Sequence, residues 1–570
     1  MKKFRLIFGL ATLAFLGLSS NSAFAQGGTT GPLTWQLTGT APNMTLTIFV
    51  TDGGTGEMPF HNMWQAPWYN WHKSINTVVI ETGVTTISHA AFFEFEKMTS
   101  VTIPAGLTEI GGCAFLKCSA LTSITLPTGL IAIGGSAFEN CTALMSIIIP
   151  NSVTTIECNA FKGCTALTSI TIPSNVTTIG WGCHAFPCCT ALTSINVESG
   201  NNNYASENGI LFDKNKNTLI CYPGGKIGTY IIPNNVTAIG WAAFEGCTAL
   251  TLISIPNNVT AIGNTAFEGC TDLTSIDVES SNNNYTSEDG VLFDKNKNTL
   301  ICYPGGKIGA YVIPNSVTSI EGAAFHSCIN LTSITIPNSI TNIGGSPFAN
   351  CTGLTSITNL NSVPANIDFY VFGGVNQSSC TLRVPAGSVK AYKNAAEWKN
   401  FNPIVGICSV IVSVNNEEYG TATGDGIYEE HETATVTAAA NDGYKFVNWT
   451  KNGVEVSTED EYSFSVTEDL ELVANFEEGT GIVETHGCAS LQIYPNPVNE
   501  QLTIDCGDIN NGACPIVEIF NIMGQRVMSV ETGRAPSLQS TSTTTINVSH
   551  LTPGVYFLRI GEKSAKFVKE

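Results

Sequence analysis

Four side chains of the kinds that bind zinc crowd into seven residues: Cys183, His184, Cys188 and Cys189. Thiolates and an imidazole so close together are the ligand set of a tetrahedral metal site. The surroundings argue against it. Cys189 falls on a cysteine position that recurs along the chain, and Ala185-Phe186 is the apolar pair that accompanies it each time. The segment reads as one more repeat with two inserted residues, and no metal is expected. Covalent chemistry finds no purchase either. There is no Gly-x-Ser-x-Gly elbow and no His-Glu-x-x-His, and Gly224-Gly225-Lys226 lacks the spacing of a phosphate loop. The eight histidines are scattered. Two Asp-Lys-Asn-Lys-Asn runs, at 213–217 and 294–298, lack the alternating acidic spacing and distal Glu of a calcium loop, so they read as turns. The sequence therefore predicts no catalytic residue, no metal and no cofactor.

What remains are groups that make contacts rather than break bonds. One set is a row of mostly small polar residues: Thr125, Ile148, Thr171, Asn196, Ser254, Asp277, Thr335 and Thr358. Each stands between two aliphatic residues, as Thr125 does between Ile124 and Leu126. On strands they would line one long, shallow, hydroxyl-rich face, suited to a protein or a glycan rather than to a small molecule. Thr is also simply favoured on strand surfaces. A second set is aromatic: Trp64, Trp68, Tyr69 and Trp71. Such a cluster closes the open end of a stacked fold, and Trp64, Trp68 and Trp71 are the alternative contact, for a glycan.

The elements that must position these residues come from a repeat. Leu121-Thr-Ser-Ile-Thr-Leu-Pro127 returns as Leu144-Met-Ser-Ile-Ile-Ile-Pro150, Leu167-Thr-Ser-Ile-Thr-Ile-Pro173 and Leu331-Thr-Ser-Ile-Thr-Ile-Pro337, with a period of 23 residues in the first three. A fixed period of this length marks a solenoid. Within a copy the apolar residues alternate with polar ones, the mark of a half-buried strand. Pro ends the strand because it cannot donate to a ladder. Ala137-Phe138 is expected in a short helical turn on the return side, its ring in the core. Coils begin at Ile75 and follow to Leu354. Two steps, 192 to 227 and 273 to 308, are 35 residues, that is, one period plus a 12-residue insertion. Each insertion reads as a β-hairpin around its Asp-Lys-Asn-Lys-Asn turn. The whole unit recurs at an offset of 81 residues, Leu192 to Leu273.

Composition bounds the partners. The formal net charge is −21, which argues against nucleic acid. Most of it is local: residues 408–478 hold 16 acidic residues and two lysines, leaving the solenoid near neutral. Lys2, Lys3 and Arg5, an apolar run and Ala23-Phe-Ala25 form a signal peptide over 1–25, so export is expected, with no membrane span elsewhere. Nineteen cysteines in an exported protein suggest disulfides. Yet the slot of Cys118, Cys141, Cys164, Cys189, Cys247, Cys270, Cys328 and Cys351 is Phe95, Gly224 or Gly305 in other coils. It reads as a packing slot for free thiols.

The Cys-x-x-Leu-x-x-Ile-x-Ile-Pro run and the Ile-Gly-x-x-Ala-Phe return resemble the leucine-rich repeats of BspA-like bacterial surface proteins. The fold class expected is mainly β: a leucine-rich-repeat solenoid of 23-residue coils with one parallel sheet, followed by two small β domains. Residues 26–74 would be an N-terminal cap, 75–357 the solenoid with hairpins near 201–222 and 282–303, and 358–407 a C-terminal cap with a helix from Ala386 to Lys399. Residues 408–478, with Gly443-Tyr-Lys-Phe-Val-Asn-Trp449, are similar to the divergent InlB-type B-repeat. A linker would span 479–489. Residues 490–570, with Ile493-Tyr-Pro-Asn-Pro-Val498 and Leu551-Thr-Pro-Gly-Val-Tyr-Phe-Leu-Arg-Ile560, resemble the C-terminal sorting domain of type IX (Por) secretion. These resemblances imply handling by that machinery, a place on the outer-membrane exterior or release, and non-enzymatic adhesion to an extracellular-matrix or cell-surface protein; the alternative is a glycan-capture or surface-scaffold role, with the aromatic cluster at Trp64–Trp71 as the contact.

Overall fold

The computed structural model describes residues 26–51, 53–180, 185–478, 492–494, 498–505, 516–531, 543–560 and 563–570. The signal sequence, the linker and the Cys183-His184 pair lie outside them. The chain divides into two compact units. One holds residues up to Val414 with Ala422–Ala438 and Asn448–Ala474; the other holds Asn415–Thr421, Ala439–Val447 and Asn475–Glu570.

Each coil of the first unit is built as its alternation dictates. Leu121, Ile124 and Leu126 are buried, while Thr122, Ser123 and Thr125 face solvent. Neighbouring strands pair in parallel with residues of the same repeat position opposite each other, Ile124 with Ile147 and Ile170 with Ile195. The return side differs from expectation. It carries a second, narrow parallel ladder of two-residue strands, such as Ala132–Ile133, Thr155–Ile156 and Thr178–Ile179. The Ala-Phe pairs sit in turns rather than helices, because the Phe amide bonds to the next coil: Phe115 N donates to Ala137 O and Phe138 N to Ala160 O, both at 2.8 Å.

Stacking puts like on like. The rings of Phe92, Phe115, Phe138, Phe161 and Phe186 form a ladder with centroids 5.3–5.6 Å apart. Each buried ring contributes on the order of 1.5–3 kcal/mol. Beside them run the cysteines. All eight of the recurring slot are buried and free. Their thiols have a polar task that the sequence did not reveal. Cys141 Sγ donates to Phe115 O at 3.2 Å, Cys189 Sγ to Phe161 O at 3.0 Å and Cys351 Sγ to Phe325 O at 2.9 Å, each reaching into the preceding coil. Burial pushes the Cys189 thiol up to about 12, so it stays protonated and unreactive. Where the slot is Gly, the chain runs too close for a side chain: a Cβ on Gly224 would lie 2.9 Å from Cys189 O, and one on Gly305 2.7 Å from Cys270 O. Cys158, outside the slot, is disulfide-bonded.

The insertions hold more than a hairpin. Tyr204–Glu207, Ile210–Asp213 and Thr218–Cys221 form an antiparallel meander, and its last strand joins the return ladder beside Ala238–Ile239. The second insertion repeats this with Tyr285–Glu288, Val291–Asp294 and Thr299–Cys302. The turn aspartates work on the backbone: Asp213 Oδ1 accepts from Thr218 N at 2.7 Å and Asp294 Oδ1 from Thr299 N at 2.6 Å. A wholly buried asparagine anchors each insertion. Asn201 Nδ2 donates to Pro173 O and Val176 O, and its Oδ1 accepts from the amides of Asn203 and Tyr204, at 2.8–3.0 Å. Asn282 repeats all four bonds, to Pro256, Val259, Asn284 and Tyr285.

The expected single sheet is interrupted at both insertions. Ser194–Val197 ends one stretch and Gly228–Ile231 begins the next; Ser275–Val278 ends that and Gly309–Val312 begins another, and the ladder also breaks between Ser100–Thr102 and Ser123–Ile124 and between Ser146–Ile147 and Ser169–Ile172. The aromatic ladder restarts at the two insertions, with Tyr222 on Phe244 and Tyr303 on Phe325. The buried core divides there into three clusters.

At the start, Gln26–Thr30, Leu33–Thr40 and Asn43–Val50 extend the sheet as an antiparallel meander, and Trp68 stacks on Phe92 at 6.1 Å. At the far side, Thr381–Pro385 adds a strand, and buried Tyr392 and Trp398 cover Phe372. The helix between them is shorter than expected. It spans Val389–Asn394, because Ala395 is extended and Glu397 is left-handed (φ 64°), which turns Trp398 inward. Nor does the sheet stop there. Ile404–Val414 pairs first with Thr381–Pro385 and then, through Val410 to Val414, with Leu470 to Ala474. Thr433–Ala440 pairs with Glu461–Ser465 around buried Ala434, Val436 and Trp449. In the second unit, Ile516–Asn521, Gly554–Ile560 and Lys563–Lys569 are antiparallel neighbours over a core of Val517, Ile519, Leu558 and Phe567.

Candidate binding face

The predicted row stands on the outward side of the strands. Thr125, Ile148, Thr171, Asn196 and Asp277 are exposed, and Ser254, Thr335 and Thr358 are half-buried. Register brings Thr171 opposite Asn196, Ser254 opposite Asp277 and Thr335 opposite Thr358. The interruptions separate Asn196 from the group of Ser254, and Asp277 from the group of Thr335. The row also has members that the sequence reading passed over. Ile231 pairs with Ser254, Val312 with Thr335 and Arg383 with Thr358. The signal was available: Ile227-Gly-Thr-Tyr-Ile231 aligns with Leu121-Thr-Ser-Ile-Thr125. Two polar members are already occupied, since Ser194 Oγ bonds Asn196 Oδ1 at 2.9 Å and Ser275 Oγ bonds Asp277 Oδ1 at 2.5 Å.

The face carries almost no formal charge. From Ile75 to Val197 none of its strands holds Asp, Glu, Lys or Arg. Further on come Asp277 and Arg383, and Arg383 is paired with Glu429 at 3.0 Å. Aliphatic side chains are exposed at several places along the solenoid. Ile148 is 85% exposed and Met145 56%, beside a groove of about 550 Å³ floored by Ile124, Leu126 and Ile147 and edged by Ser123, Thr125, Thr128, Ser146 and Ser152. Aliphatic exposure returns at Ile227 and Ile231 and, in the duplicate, at Ile308 and Val312.

Two of the three tryptophans named for a glycan are committed elsewhere. Trp68 is fully buried, its indole N–H donating to Ala91 O at 2.7 Å, and so meets no ligand. Trp71 is half-buried, 5.8 Å from Trp35. Trp64 alone is exposed, at 61%.

Several of the perturbed ionisable groups, Lys162, Glu268 and His326 among them, directly follow a core phenylalanine in sequence. Lys162 Nζ meets Glu245 Oε1 at 3.0 Å, and His326 Nε2 meets Glu268 Oε1 at 3.3 Å. Burial, and then the charge of Glu245, raises Glu268 to about 7; burial lowers His326. Cys188, near Glu245, is pushed up to about 11 by burial. Among the described residues no three His, Cys, Asp or Glu side chains gather as a metal site, and no helix is long and apolar enough to cross a membrane.

Repeat, ladder and register define a leucine-rich-repeat solenoid. The family model for the BspA type leucine rich repeat region matches six copies over 85–208, 220–300 and 301–396, more than half of the chain, and the protein belongs to that family. A divergent InlB B-repeat domain matches 410–480, and a secretion system C-terminal sorting domain matches 492–570. Similar solved structures include a leucine rich cell surface protein from Faecalibacterium prausnitzii, at 29% identity over 60% of this chain and 96% of that one, TM-score 0.39. A leucine-rich repeat protein from Eubacterium ventriosum is 24% identical over 61% and 93%, TM-score 0.40. The pneumococcal vaccine antigen PcpA is 19% identical over 66% and 96%, TM-score 0.38. No curated protein matches. The chain is thus a surface-type leucine-rich-repeat protein whose sorting tail marks it for export and for surface attachment or secretion.

Proposed function

We propose that this is a non-enzymatic adhesive protein that binds an extracellular-matrix or neighbouring-cell protein through the outward face of its solenoid sheet. One observation carries the reading: a face nearly free of charge, rich in hydroxyls, with its most exposed aliphatic side chain, Ile148, beside a groove. Interfaces draw their energy from a few desolvated apolar anchors within a polar rim. Ile148 and Met145 supply such anchors, and Ser123, Thr125 and Ser146 supply the rim. The sorting tail supports presentation of that face outside the cell.

The test is a binding screen of the mature chain, residues 26–570, against matrix proteins, beside adhesion of cells with and without the gene. Saturable binding weakened at least tenfold by Ile148→Arg, with an unchanged melting temperature, is expected. Absence of binding to every matrix protein, together with normal adhesion of cells lacking the protein, defeats the proposal.

A further inference from the structure

We propose a second, independent ligand site on the N-terminal segment: a shallow stacking platform for neutral pyranose units of a glycan, built on Phe60 and Trp64 with the amides of Asn62 and Gln65. It lies apart from the sheet-face reading and does not depend on it.

Phe60 is 68% exposed and Trp64 61%. Neither is a loose side chain at a loop tip. Phe60 stacks on His89, centroids 5.1 Å apart and planes 23° apart. Trp64 stands edge-on to Phe93 at 5.6 Å. His89 in turn holds the segment, its Nδ1 bonded to His61 O at 3.1 Å. Each exposed ring is therefore braced by a ring of the first repeat coil and keeps an outer surface open.

Trp64 also has a left-handed backbone, φ 67°. The other coils place left-handed residues two before and two after the core Phe, as at Ala90 and Glu94, Ser136 and Asn140, and Ala323 and Ser327. Two before Trp68, the ring that heads this ladder, is Ala66, so Trp64 does not follow the rule of the repeat. A bulky residue avoids this region because its Cβ crowds the following carbonyl. Burial of the indole gives nothing back here, since the ring is exposed. A tight turn fixes it, Gln65 N donating to Asn62 O at 3.1 Å, and the exposed indole projects from that turn.

The polar groups between the rings are neutral and matched. Asn62 and Gln65 are both exposed, and Asn62 Nδ2 donates to Gln65 Oε1 at 3.0 Å. That bond leaves Asn62 Oδ1 to accept and Gln65 Nε2 to donate. A pair of vicinal sugar hydroxyls, each both donor and acceptor, satisfies the two together, while the apolar face of the pyranose covers a ring. Lys117, over the Phe93 ring, is paired with Glu94 at 2.8 Å. Ring, amide, ring and amide follow within residues 60–65.

The test uses the full mature chain, titrated with hexasaccharides of β-1,4-linked glucose, β-1,4-linked N-acetylglucosamine and α-linked mannose. Calorimetry and tryptophan fluorescence are the readouts. At least one saccharide is expected to bind and to shift the emission of the exposed indole. Trp64→Ala and Phe60→Ala are expected to weaken binding tenfold or more, Trp64→Tyr to restore it within threefold, and Ile148→Arg to leave it unchanged. Asn62→Ala, at a fully exposed position, gives the same reading should an aromatic variant fold poorly. Silence towards all three saccharides at millimolar concentration overturns the proposal, as does binding that survives Trp64→Ala and Asn62→Ala intact.

Discussion

Replacing Asn201 with alanine removes a buried side chain that ties the first insertion to the coil beneath it. Four hydrogen bonds go at once: two accepted by the carbonyls of Pro173 and Val176, two donated by the amides of Asn203 and Tyr204. The side chain is wholly buried, so each stranded group carries a desolvation penalty of about 1–3 kcal/mol. Water entering the vacated space relieves some of the sum, and the net loss expected is about 3–5 kcal/mol. Because a coil touches only its neighbours, the loss should be local before it is global. Urea denaturation of the mature chain measures the total, and amide exchange at residues 198–222 locates it. The molecule contains its own replicate, since Asn282→Ala severs the same four bonds in the duplicate and should cost the same within about 1 kcal/mol. A loss below about 1 kcal/mol at both positions would refute the reasoning, and so would protection that falls evenly along the solenoid.

Glu268→Gln should stabilise the protein at pH 8. The folded state holds this carboxyl at about 7 against an ordinary 4.5, so its favourable contribution is present below about 4.5 and is lost as the pH rises through about 7. The difference corresponds to about 3 kcal/mol, visible as a variant more stable than the parent at pH 8 and level with it below pH 4.5; equal stability at both would count against it. At Cys164, whose thiol donates to Phe138 O at 3.2 Å, Cys164→Ser keeps the donor and Cys164→Val keeps only the bulk. Thermal melts should place Val below the parent by about 1–2 kcal/mol for the stranded carbonyl and the tight slot. Deleting 492–570 should abolish surface display, measured by antibody labelling of intact cells, while leaving the protein inside the envelope.

The solenoid was legible because its period is written in residues that stacking makes equivalent. Leu121, Ile124, Phe138 and Cys141 each meet their own kind one coil on, so a pattern in one dimension becomes contact in three. The return side was misjudged because Ala137-Phe138 looks helical locally, while the Phe138 amide is claimed by the next coil. The interruptions of the sheet at the insertions were hidden for a similar reason: Ile227 and Ile308 fall on the repeat's Leu position, yet are 78% and 79% exposed. Glycines at 228 and 309 there shift the register of the strand by a bulge. Of the aromatic cluster, type alone could not tell Trp68, stacked in the core, from Trp64, standing outside it. Asn201 is an Asn among Asn, and only its burial singles it out.

Ile404–Val414 is one strand with two allegiances, its first half bonded to Thr381–Pro385 and its second to Leu470 to Ala474, both running parallel to it. A pull along this strand loads both ladders in shear, so their interstrand bonds share the load and must slip together rather than break singly. The end of the solenoid is thus a splice and not a pivot: the strand that closes it also opens the ladder that follows.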